Sequence, residues 1–130
     1  LYKKIREELL ADSTITDYVS ERVYLGFKKV GNNSTDYPQI TMSKKGNGLD
    51  SILLSTDIEL QLHIWTKGEA HVTIAEEIGK RIELHFKVVG YNDPWIYQSW
   101  KDGDADMFED DTQTFHKVLI FNVVMESYSE

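Results

Sequence analysis

The chain contains no cysteine in its 130 residues. That excludes disulfide frameworks, thiolate nucleophiles and cysteine-ligated zinc or iron–sulfur sites. Long hydrophobic runs are missing too. The longest apolar stretches, Val118-Leu119-Ile120-Phe121 and Val123-Val124-Met125, are separated by Asn122 and fall far short of a bilayer crossing, so no membrane association is expected. The opening residues Leu1 to Arg6 lack the apolar core of a signal peptide, and export by that route is not expected. Basic residues are scarce: 14 Lys and Arg against 22 Asp and Glu give a formal net charge of −8. A field of that sign repels phosphate backbones, which argues against sequence-specific DNA binding, and it keeps the surface well hydrated.

Motifs that carry chemistry are equally sparse. No Gly-rich phosphate loop of Walker or dinucleotide type is present, and Gly46-Asn47-Gly48 is too short for either. Ser13, Ser20, Ser34, Ser43, Ser51 and Ser55 stand in no nucleophile-elbow context. His63, His71, His85 and His116 share no His-x-x-x-His or His-Glu-x-x-His spacing, so a metal site, or a catalytic site built on His63, His116 and nearby acids, would have to be assembled by the fold. Glu76-Glu77 and Asp110-Asp111 are sequence neighbours whose carboxylates point apart into polar surroundings, which is a solvated face rather than an acid–base pair.

What is present is the composition of a globular domain, with 41% hydrophobic and 28% charged residues. One domain over residues 1–130 is expected, since this length buries a substantial core without covalent staples. Over residues 2–12, Tyr2, Ile5, Leu9 and Leu10 lie near one helical stripe. Asp12-Ser13-Thr14 then supplies capping side chains for a short second helix through Ile15, Tyr18 and Val19, ending near Ser20. From Arg22 to Lys28, Val23, Leu25 and Phe27 alternate with other residues, the period of a strand. A polar run over 31–36 precedes a strand opened by Pro38 in which Ile40 and Met42 share a face, and Gly46-Asn47-Gly48 reads as a loop or hairpin tip.

The cleanest strand runs from Ile58 to Trp65, with Ile58, Leu60, Leu62 and Ile64 on one face. Gly68 breaks it, and Val72, Ala75, Ile78 and Ile82 form a helical stripe through 69–85 that can cover the apolar face of the sheet. Two closing strands are expected, over 95–100 and from Phe115 to Met125, joined as a β-hairpin by an acidic loop from Lys101 to Thr112. Both sides of the last strand are apolar, which places it centrally in the sheet or against a neighbouring subunit. The expected fold is α+β: a single domain with an antiparallel-dominated β-sheet and helices packed on one face, in the order α-α-β-β-β-α-β-β.

Two segments are candidate sites. Asp102, Asp104 and Asp106 alternate as at the start of a calcium loop, where carboxylates converge on one hard cation. The rest of that pattern fails, because Met107 stands where a tight-turn glycine is needed and Gln113 where a bidentate glutamate is needed. A solvated acidic segment is the plainer reading, and a small cation- or ligand-binding module is the alternative. Tyr91, Trp95, Tyr97 and Trp100 form a dense aromatic group beside it, suited either to core packing or to a partner surface.

The order of segments resembles a family. Leu1-Tyr2-Lys3-Lys4-Ile5 to Leu9-Leu10-Ala11-Asp12, then Ile15-Thr16-Asp17-Tyr18-Val19-Ser20-Glu21-Arg22-Val23-Tyr24, is similar to the start of bacteriophage tail-completion or tail-terminator proteins. These open with a helix, a short second helix and an Arg-hydrophobic-Tyr strand. Tyr37-Pro38-Gln39-Ile40, Ile58 to Trp65-Thr66-Lys67, the helix over 69–85 and Phe115-His116-Lys117-Val118 to Val123 follow in the same order, so the resemblance spans nearly the whole chain. Leu25-Gly26 departs from it, as many members place a proline soon after the tyrosine, and so does the acidic 101–111 stretch.

The resemblance implies a structural virion protein without catalysis or cofactor: a homo-oligomeric ring, six copies, that completes the tail of a long-tailed phage and joins it to the head. Its partners would be its own copies, the tail tube protein and the head connector or stopper. It would sit at the head-proximal end of the tail after assembly in the host cytoplasm, with DNA passing through unbound. If the 101–111 stretch lines the central channel, its carboxylates would repel the passing DNA, an electrostatic expectation apart from the resemblance. Trp95, Tyr97, Trp100, Asp102, Asp104, Asp106, Phe121 and Val123 are the expected contacts between subunits or with partners.

Overall fold

A computed structural model describes residues 2–25, 37–50, 55–68, 71–87, 96–109 and 114–126. In chain order the elements are helices α1 (Tyr2–Leu10) and α2 (Ser13–Val19), strands β1 (Val23–Leu25), β2 (Gln39–Asp50) and β3 (Ser55–Lys67), helix α3 (His71–Lys87), and strands β4 (Ile96–Glu109) and β5 (Thr114–Glu126). The five strands form one sheet in the order β1-β2-β3-β5-β4. Among the described residues only β1 and β2 run parallel; the other three pairings are antiparallel. The fold is the expected α+β class, with the same order of elements.

All three helices pack on one sheet face. Ile5 and Leu9 from α1, Ile15 and Val19 from α2, and Ala75, Ile78, Ile82 and Phe86 from α3 close over Ile40, Met42, Leu60, Leu62, Ile64, Leu119, Phe121 and Val123. The strand contributors alternate along each strand, so the period of two that marks them in sequence becomes one buried layer. Phe86 stacks on Phe121 with ring centroids 4.1 Å apart. β5 lies between β3 and β4, which accounts for its being apolar on both sides.

Polar anchors tie the small N-terminal elements down. Arg22 donates from Nε to the Pro38 carbonyl at 2.8 Å and from Nη2 to the Tyr18 carbonyl at 3.1 Å, linking α2 to the start of β2. Arg6 donates from Nε to the Val23 carbonyl at 2.8 Å, fixing α1 to β1. The Tyr18 hydroxyl donates to Glu77 at 2.7 Å, joining α2 to α3.

Three expectations are corrected. Gly46-Asn47-Gly48 is not a hairpin tip but lies within β2, where the register against β3 shifts between Gly46 and Leu49. A bulge there absorbs the glycines that suggest a turn. The span from Lys101 to Glu109 is strand rather than loop, because its backbone pairs with β5 from Lys101↔Phe121 to Glu109↔Thr114. Charge along a strand is tolerated when the strand borders the sheet, as β4 does. Phe121 and Val123 are buried core residues, which removes them from any surface a partner can reach. The expected strand beyond Leu25 and the polar run over 31–36 lie outside the described residues.

Candidate functional site

Among the described residues, a dense polar grouping lies on the sheet face opposite the helices. In β3 the residues between the core positions are Gln61, His63 and Trp65, and the register sets Thr41 and Ser43 of β2 opposite His63 and Gln61. On the other side β5 sets Val118 opposite His63 and His116 opposite Trp65. His63 and His116 are therefore diagonal neighbours, within reach of each other across one strand pair. His63 Nδ1 and His116 Nε2 are 2.7 Å apart, one of the two carrying the proton of the hydrogen bond. The His116 ring stacks on Trp65 at 3.6 Å between centroids and 11° between planes. Trp65 Nε1 donates to Thr41 Oγ1 at 3.0 Å, and Ser43 Oγ lies 3.4 Å from His63 Nε2. His63 is only 6% exposed and Thr41 1%.

Burial decides the charge state. It lowers the His63 pKa, and burial together with the neighbouring His63 lowers that of His116 to about 4. Both rings are neutral at pH 7, so they stack and exchange a hydrogen bond without repulsion.

The sequence Ser43–His63–His116 places a hydroxyl, an imidazole and a second imidazole in line, in the manner of a nucleophile relay. The electrostatics run against that use. A relay needs its middle histidine to accept a proton, which a carboxylate behind it favours. Here the group behind is a neutral imidazole and the surroundings oppose any positive charge. Two imidazole nitrogens also meet as metal ligands would, but among the described residues no group of three or more His, Asp or Glu stands close enough to hold an ion. The cluster is a satisfied polar layer that locks β2, β3 and β5 in register.

A second cluster centres on Asp12, whose side chain is 4% exposed. It caps α2 by accepting from Thr14 N at 3.0 Å. It also accepts from Arg81 Nε and Nη2 at 3.1 and 3.0 Å, and His85 Nε2 lies 2.8 Å from the same carboxylate. Burial pushes the carboxyl pKa up, but the hydrogen bonds from His85, Arg81 and Thr14 outweigh it and the net shift is downward. Glu8, Ala11 and Ser13 complete a shallow open recess around it. With its oxygens committed to these donors, Asp12 clamps the α1–α2 junction onto α3.

The sites anticipated from sequence fall elsewhere. Asp104 and Asp106 are exposed residues of β4, two apart and so on one face, opposite Leu119 and Lys117. Asp106 accepts from Lys117 Nζ at 3.1 Å. Asp102 sits at the register shift between Lys101 and Gly103. Tyr97 and Trp100 belong to β4, Trp100 opposite Asn122, while Tyr91 and Trp95 lie outside the described residues. Sequence reading joins His63 and His116 only as parts of a site that the fold would have to assemble with nearby acids; the fold does bring the two rings together, with no third His, Asp or Glu close enough among the described residues to complete a metal-type cluster. The signal available was the position of each beside an apolar alternation, His63 in β3 and His116 at the start of β5, which puts both on the helix-free face once the strands are paired.

The chain matches no family model and no curated protein at significant similarity. Among solved structures, its fold is similar to a chain of the virion of a native gene transfer agent particle. The TM-score is 0.77, sequence identity is 12%, and the likeness covers 98% of this chain and 95% of that one.

Proposed function

We propose that this chain is a structural virion protein, one copy of a homo-oligomeric ring that completes or terminates a tail tube and joins it to the head connector or stopper. The observation carrying this reading is the likeness to a chain of a gene transfer agent virion across almost the full length of both. At 12% identity that likeness concerns fold, and the reading adds to it the ordered motifs from Leu1 to Val123 and the chemistry of the clusters. Both polar clusters are internally satisfied, as parts that hold a shape are, and no substrate-facing nucleophile emerges from either. A net charge of −8 suits a subunit that DNA passes without sticking.

Mass measurement of the purified full chain, alone and mixed with tail tubes, tests the proposal. A ring of defined copy number, formed alone or upon the tube end, is the expected result. A strictly monomeric particle indifferent to tail tubes would overturn it.

A further inference from the structure

Helix α3 turns Ala75, Ile78, Ile82 and Phe86 toward the sheet, and a row of its side chains points the other way. Val72, Glu76, Lys80 and Leu84 recur every fourth residue, which sets them in a single ridge along the helix surface. All four are exposed, Val72 at 42% and Leu84 at 49%. The adjacent ridge is engaged within the chain, since Glu77 accepts from the Tyr18 hydroxyl while Arg81 and His85 contact Asp12.

The order of residues in the exposed ridge matches itself in reverse. Along the chain it reads apolar, acidic, basic, apolar. When a second copy is laid antiparallel on it about a twofold axis level with Ile78, Val72 meets Leu84 and Glu76 meets Lys80, each pair occurring twice. Such a contact is isologous, with residue i touching j and j touching i. The match also fixes the register. Sliding the copies by one turn sets Lys80 against Lys80 or Glu76 against Glu76, and a parallel arrangement in register does both, so the other arrangements bring like charges together.

The surroundings of the ridge suit a second helix. On the side toward β4, Glu76, Gly79, Lys80, Glu83 and Lys117 line a groove beside the midpoint of the ridge. Ridges of i±4 spacing packed into such grooves make the commonest helix pairing, at about −50°. Phe108, 42% exposed, stands opposite Phe115 in β5 and so on the helix side of the sheet. Three of the four exposed large hydrophobic residues among those described, Val72, Leu84 and Phe108, therefore share one side of the molecule.

We infer that the outer ridge of α3 is a self-association surface, on which a second copy of this chain docks its own α3 antiparallel about a twofold axis. This contact is separate from the one that closes a ring, where neighbours meet through unlike patches. The ridge spans about 18 Å at ~1.5 Å per residue, so the buried area falls below the ~1,200 Å² of a standard interface and the pairing is reversible.

Sedimentation equilibrium of the full chain over a wide concentration range tests it. A reversible doubling of mass is expected as concentration rises, from whichever particle, single chain or ring, is present at the lowest concentration. Glu76→Lys and Lys80→Glu each bring like charges together at two symmetry-related places and should weaken the doubling about tenfold. Leu84→Asp should weaken it at least as far. Mixing the two charge variants should restore it, because one then presents two lysines where the other presents two glutamates. A Glu76–Lys80 pair acting only within its own helix gives no rescue on mixing. Circular dichroism melts establish that each variant is folded. A wild-type chain that never doubles, a doubling equally strong in all three variants, or a mixture that fails to recover it overturns the proposal.

Discussion

His63 and His116, 53 positions apart in the chain, share a 2.7 Å hydrogen bond on the helix-free face of the sheet. The contact exists because β5 inserts between β3 and β4 and sets His116 directly opposite Trp65. Each ring is held neutral by its surroundings, and that has a consequence for stability.

Both histidines titrate lower in the folded chain than in the unfolded one, His116 at about 4. Between that value and the unfolded pKa of ~6.5, the unfolded chain binds more protons than the folded one. Stability from this pair is fully present above about pH 6.5 and is lost as pH falls toward 4, by about 1–2 kcal/mol once partial exposure of His116 is allowed for. Urea denaturation at pH 7.5, 6, 5 and 4.5 should show the decline. His116→Phe, which stacks but cannot titrate, should flatten it; an unchanged slope would show that the pair is not its source.

Asp12 contributes in a lower window. Its pKa is depressed by its donors, so its stabilisation holds above the unfolded value near 3.8 and disappears as pH drops through the folded value. Asp12→Ala removes a helix cap and strands three donors, and should cost about 2–4 kcal/mol at pH 7, toward the lower end because Arg81 is 41% exposed and regains water. Guanidinium unfolding curves at pH 7 and pH 3 check this, with the gap between variant and wild type narrowing at the lower pH.

Gly79 lies inside α3, where a methyl group would meet Lys117 Cε at 3.2 Å and Ile64 Cδ1 at 3.7 Å. The tighter contact is the flexible part of a lysine stem, which can shift a few tenths of an ångström while Nζ stays on Asp106. Alanine raises helix propensity by up to ~1 kcal/mol. Gly79→Ala should therefore raise stability by a few tenths of a kcal/mol to ~1. A lower melting temperature would show that Lys117 cannot yield.

Calcium should give no saturable heat in calorimetric titration. The lysine ammonium occupies Asp106, and Asp104 and Asp106 are spread along an extended strand instead of converging as a loop would make them. A one-equivalent transition would restore the cation-binding alternative.

Phe121→Ala should cost about 3–5 kcal/mol, since the ring is buried against Phe86 and its removal leaves a cavity between α3 and the sheet. Denaturant midpoints measure it directly.

Much of the fold was written in local pattern. Alternation in Leu60, Leu62 and Ile64 and the stripe Ala75, Ile78 and Ile82 specify element type and buried face, because side-chain direction repeats every two residues in a strand and every 3.6 in a helix. Asp12-Ser13-Thr14 likewise determined the break between α1 and α2, through a cap that acts over two residues. What only tertiary structure decided was adjacency. Strand order and register, which depend on how distant segments share one core, brought His63 to His116 and Arg81 to Asp12, and turned the acidic stretch after Trp100 into a sheet edge. Local periodicity says which way a side chain points but not which strand lies beside it, and the polar clusters of this protein exist only between neighbours.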